Sequence, residues 1–262
     1  MNVRDAMART VEWEFSQSNY AAVLEDVPPT LFRYWAEVSQ GEFPGIPRDA
    51  SFFAQSVEGL MMFFDCVSAA GRQPCGLPSR AADSVWHAWM RMDAPNLERF
   101  CIRHFGRSIP HVEKTHMRGH MRMALSVCLV QARRRASKPV AGPNLPRLFL
   151  LDGQLGMPRG FGYRIIGSLV AWSVLDEFGN SDDHVSFPDN MTPRGLLQAG
   201  LVSKAEYDEG IRLGGRGDLR LAGAGNGAPD TADGDAGGGD GAAPCSGGSA
   251  CGGGCGGGGC GS

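Results

Sequence analysis

The chain has 262 residues, 42% of them hydrophobic, and a formal net charge of −3, so it can bury a sizeable core in one large or two small domains. Glycine and charge are unevenly spread: 18 of the 38 glycines and four aspartates (Asp230, Asp233, Asp235, Asp240) fall in residues 223–262, which contain no Lys or Arg. Subtracting that −4 from −3 leaves +1 on residues 1–222, too little for the broad basic field that nucleic acid or an anionic membrane demands.

Residues 1–20 mix acids and bases without a continuous apolar run, so no secretory signal is expected. The most apolar stretch, 165–175, is too short to span a bilayer. Cys66, Cys75, Cys101 and Cys128 show no paired spacing, and reduced thiols in a cytoplasmic protein are the simplest account of them. The expected partner is a protein of unknown kind, with no nucleic acid and no membrane.

In chain order, residues 7–20 suggest a helical piece anchored by Trp13 and Phe15, and Pro28-Pro29 breaks it. Leu31, Tyr34, Trp35 and Val38 then predict an amphipathic helix ending near Gly41. After a proline-containing loop over 41–48, Ser51 is expected to cap a helix over about 52–70. Leu60, Met61, Phe63 and Phe64 make that helix apolar all round, as in a central buried position. Another helix starts near Arg80, a further piece follows with Pro95 near its start, and Gly106 ends it. The longest clear helix is expected over 115–136, with Met117, Met121, Leu125, Cys128 and Leu129 on its apolar face. Its last residues, Arg133-Arg134-Arg135, read as cations at a helix C-terminus. Residues 148–151 fit a strand or a short helix, and 165–178 are read as helical with Trp172 and Leu175 facing inward. Over 192–213 a small αα-hairpin turns at Gly200, and Ser203 with Glu206 forms a capping box.

The most distinctive stretch is 82–111. Asp83 and His87 lie four apart and share a helix face. A chain reversal at Gly106 would bring His111 back to them, giving a two-His, one-carboxylate set suited to a divalent metal or, without one, a hydrogen-bonded polar cluster. Cys101 is a further possible ligand, although a free buried Cys usually acts as a small apolar residue. His116 and His120, also four apart, read as exposed. No nucleophile elbow, phosphate loop or His-Glu-x-x-His is present.

Asp83-x-x-Trp86-His87-Ala88, then Phe100-Cys101-x-x-His104-Phe105-Gly106-Arg107-x-Ile109-x-His111, resembles a pattern in uncharacterised bacterial proteins distantly similar to plant glycine-rich domain proteins. Residues 145–158, LPRLFLLDGQLGMP, resemble a second block of the same group. The resemblance implies a helical body with Asp83, Trp86, His87, Gly106 and His111 at matched positions, and no activity. Where the group often has two adjacent histidines, this chain has Pro110 before His111, which removes one candidate ligand.

From Gly223 onward the chain has too little apolar surface to offset its ordering entropy, so it is expected to be disordered. Cys245, Cys251, Cys255 and Cys260 lack the close pairs of structural zinc sites. A loose thiolate site for a soft metal, a substrate for backbone heterocyclisation and a plain flexible appendage are the three readings of this tail.

The fold expectation is therefore mainly α: a compact helical bundle over 1–190, a small helical hairpin over 191–222 and a disordered Gly/Cys-rich tail over 223–262. The functional expectation is a cytoplasmic binding or scaffold protein with a polar Asp/His cluster. The alternatives are a metal-dependent enzyme using Asp83, His87 and His111 with a divalent metal, and a tail that is modified or binds soft metal through Cys245, Cys251, Cys255 and Cys260.

Overall fold

A computed structural model describes residues 3–112, 121–181 and 184–214, all within one compact unit. His116, His120, Met117 and the four tail cysteines lie outside the described residues. The chain is mainly helical, in the order α1 (Val3–Ser16), α2 (Ala21–Leu24), α3 (Leu31–Glu42), α4 (Ala50–Ala70), α5 (Arg80–Phe105), α6 (Met121–Arg135) and α7 (Arg147–Leu155). Strands β1 (Phe161–Ile166) and β2 (Leu169–Val174) follow, then α8 (Pro193–Gln198) and α9 (Lys204–Gly214). Among the described residues no helix is long and apolar enough to cross a membrane.

Helix α4 is the central element, as its all-round apolar sequence predicts: Val57, Leu60, Met61 and Phe64 are wholly buried, and α1, α5, α6 and α7 pack on it. Gly59 makes room for Leu151 of α7, since a Cβ there would meet Leu151 Cδ2 at 2.3 Å. The cap is Asp49, whose extended backbone aims its carboxylate at the Phe52 N–H (2.9 Å). The expected cap, Ser51, is already inside the helix and donates to Glu14 instead. Trp35 is buried against Phe52 and Phe53, and its Nε1–H donates to Ser84 Oγ at 3.0 Å, tying α3 to α5. Trp13, in contrast, is 62% exposed and anchors nothing, while Val11 of α1 is buried.

The expected helix over 165–178 is a β-hairpin. Ile166 pairs with Leu169 across the two-residue turn Gly167-Ser168, and Gly167 has φ +64°. A glycine first in such a turn matches the twist of the strands, and Ile165, Ile166, Val170 and Val174 favour extended backbone, so turn chemistry outweighs the apolar run. Leu175 does face inward, at 3% exposure, and Trp172 is half-buried. Residues 148–151 form α7.

Two sequence-level details change character in three dimensions. Arg133 is 2% exposed, and its guanidinium donates to Val140 O (2.7 Å) and twice to Asn144 O (2.8 and 3.1 Å). Arg133 alone thus clamps the proline loop, while Arg134 and Arg135 stay exposed and pair with Glu206 and Asp65. The cysteines at 66, 75, 101 and 128 are free, and Cys66 and Cys75 lie beside Cys128.

Alkaline pH should destabilise this fold. Burial pushes the Cys101 thiol up to about 12, with Glu98 adding to it, and burial also pushes Cys128 well up. An unfolded Cys loses its proton near 8.5, so above that pH the unfolded chain ionises while the folded one does not. Each thiol then removes about 1.4 kcal/mol of stability per pH unit, an effect absent below pH ~8.5 and complete for Cys101 only near pH 12. Urea midpoints should fall steeply between pH 8 and 10.5. A flat profile would exclude thiol ionisation as a determinant.

Candidate metal centre

Helix α5 supplies two of the candidate groups. Its first turn is fixed twice: Ser79 Oγ accepts from the Ala82 N–H, and buried Asp152 of α7 accepts from the Arg80 N–H (2.9 Å) and the Ala81 N–H (3.0 Å). Asp83 and His87 then fall one turn apart on the same face. The helix is broken at Asp93 (φ −161°, ψ 82°), where Pro95 lacks an N–H and the Asp93 carboxylate caps Asn96 N at 2.9 Å.

That break matters for His111. Phe105 lies 18 residues beyond His87, so the six residues from Phe105 to His111 must lead the chain most of the way back along α5. The bend at Asp93, the left-handed Gly106 (φ +74°) and buried Ile109 together return the chain to α5. His111 comes to rest against Trp86, with ring centroids 4.6 Å apart, and against His87 at 4.5 Å.

Among the described residues, Asp83, His87 and His111 are the group whose donor atoms all lie within 4.8 Å of one another. His87 Nε2 is 3.0 Å from His111 Nε2, His111 Nε2 is 3.2 Å from Asp83 Oδ1, and His87 Nε2 is 3.6 Å from Asp83 Oδ1. Donors this close together would hold one divalent ion between them. The three donors thus fit one face of a metal's coordination shell and leave its other face to solvent. All three side chains are part-exposed, 31% for Asp83, 21% for His87 and 15% for His111.

The fourth member was not singled out from the sequence. Glu42, the last residue of α3, places Oε1 2.5 Å from His87 Nδ1, and its Oε2 is 2.7 Å from Arg91 Nη2. A carboxylate only accepts, so Nδ1 carries the hydrogen and Nε2 turns its lone pair toward His111 and Asp83. An outer carboxylate orienting a histidine in this way is the usual support of a metal ligand. The one sequence signal was an acid at a helix C-terminus, where the dipole disfavours it and an outside cation must compensate. Phe43 packs edge-on to His87, and the Arg80 guanidinium lies 5.4 Å from the Phe43 ring centre.

The other singled-out residues lie elsewhere. Cys101 is buried in the core at 1% exposure and stays protonated, so it is not a fourth ligand. His104 bonds Asp26 at 2.9 Å, a carboxylate it shares with Arg103.

Residues 48–173 match the model of an uncharacterised family described as UCP032817-like. That segment runs through Asp83, His87, His111 and Asp152 and leaves Glu42 outside it. No curated protein and no solved structure matches the chain.

Proposed function

We propose that Asp83, His87 and His111 hold a divalent transition metal and that the chain acts through that centre, as a metal-dependent enzyme or a metal-bearing binding protein. One observation carries the reading: two Nε2 atoms and one carboxylate oxygen converge within 3.6 Å, and a second carboxylate holds the Nδ1 of the central histidine. Two histidines and one carboxylate with open positions suit Fe(II), Mn(II) or Zn(II). The likeness to bacterial proteins sharing the Asp-x-x-Trp-His pattern, and free thiols suited to a reducing compartment, support a cytoplasmic setting.

A second reading, a metal-free polar cluster in a scaffold protein, draws on the same atoms. With His87 Nε2 as acceptor, the His111 Nε2–H can be shared between it and Asp83 Oδ1 without any ion. Elemental analysis of the full-length chain separates the two. We expect roughly one Fe, Mn or Zn per chain, lost on His87→Ala with the melting temperature of the apo protein little changed. A wild-type preparation that takes up none of these ions at micromolar concentration eliminates the metal reading and leaves the scaffold.

A further inference from the structure

The surroundings of the centre carry information about what would bind there. Resting on the metal reading, we infer that the loaded centre takes an anionic oxygen ligand, a carboxylate or phosphate group, in the positions the protein leaves open, with Arg80 and Arg91 as the recognising cations.

Three observations carry this. The first is charge: Asp83 and Glu42 contribute −2, Arg80 and Arg91 +2, the two histidines nothing when neutral, and a divalent ion +2. The protein therefore balances itself and leaves the ion's charge uncompensated, which a mono- or dianion would neutralise.

The second is placement. Arg80, Asp83, His87 and Arg91 follow one another on α5 at intervals of three, four and four residues, so they form a single stripe with the arginines at both ends. Arg91 is 52% exposed at one end and is held in place by Glu42. The Arg80 guanidinium lies over Phe43, whose ring also touches His87.

The third is unsatisfied donors. Among the described residues Arg80 makes no ion pair, and its Nε is buried without an acceptor; so is the Nε1 of Trp86, whose ring packs on His111. Buried donors normally have partners, and these two belong to residues that pack on the site's own side chains, Trp86 on His111 and Arg80 on the Phe43 that touches His87. A planar guanidinium is built to accept carboxylate or phosphate geometry.

The test uses the full-length chain loaded with Co2+, whose d–d absorption reports ligands added to the ion, titrated with inorganic phosphate in one arm and acetate in the other. We expect a saturable spectral change with at least one anion. Arg80→Met should keep Co2+ affinity within about twofold and weaken that anion tenfold or more, as expected for losing a charge-assisted pair. Arg80→Lys should lose only part of it. Arg91→Met serves as a second variant should Arg80→Met fail to fold. Loaded protein that ignores both anions, or an Arg80→Met protein that binds them as well as its parent, overturns the inference while the metal reading stands. A parent chain that takes up no Co2+ overturns both.

Discussion

Replacing Asp152 with Ala should cost about 3–5 kcal/mol, the range for breaking a buried charge network by removing one partner. This carboxylate is 1% exposed and accepts from the Ser79 hydroxyl (2.6 Å) and the backbone N–H groups of Arg80, Ala81 and Phe161 (2.9, 3.0 and 2.8 Å). It joins α7, the start of α5 and the start of β1. Burial pushes its carboxyl up from the ordinary range, and the four donors pull it back down. Truncation leaves four donors, three at the start of α5 and one at the start of β1, without an acceptor at once, each costing about 1–3 kcal/mol, less whatever water can reach them. Asp152→Asn should cost much of this too, because in its better orientation the amide NH2 takes the place of Oδ1 and faces the Ala81 N–H and the Ser79 hydroxyl instead of accepting from them. With domain stabilities of about 5–15 kcal/mol, a melting temperature lower by about 10 °C or more is expected for both variants. An Asp152→Asn protein melting with the wild type would remove the network from any account of how the fold, and with it Asp83 and His87, is positioned.

The sequence contained Asp152 only as one letter of a short block, and the reason is instructive. Its partners are 71 to 73 residues away in α5 and nine away at β1, and a carboxylate serving remote backbone amides has no signature in residue type. What was legible was local. The 3,1,3 spacing of Leu31, Tyr34, Trp35 and Val38 fixes α3, and Gly106 takes the left-handed conformation expected of it. Ser203 and Glu206 exchange the reciprocal capping bonds, at 2.7 and 3.2 Å. The proximity of Asp83 and His87 follows from helix period alone. The return of His111 rests on the reversal at Gly106 and on the helix boundary that Pro95 signals, which the structure places at Asp93. The hairpin over 161–174 was misread because a run of apolar residues suits helix and strand alike, and only Gly167-Ser168 distinguishes them. The thiols of Cys66, Cys75 and Cys128 meet although their spacing follows no motif.

Glu42→Ala should lower metal affinity by about 10- to 100-fold, the range for losing an outer-shell carboxylate. The loss acts through His87. Without the 2.5 Å contact nothing among the described residues holds the hydrogen on Nδ1, so the ring can rotate or present the wrong tautomer to the ion. Arg91 loses its ion pair in the same step, but that pair is half-exposed and contributes little to stability by itself. The folded protein should therefore melt within a few degrees of wild type, since Glu42 is about a third exposed and supports no core residue. Glu42→Gln separates orientation from charge: its side-chain oxygen can still accept from Nδ1–H, so most of the affinity should return while the electrostatic pull on the imidazole is lost. Competition of each variant with a metal-responsive dye, read beside its melting temperature, makes the comparison. If Glu42→Ala binds metal as tightly as the parent, Glu42 is no support of the centre, and its contact with His87 is a surface ion pair.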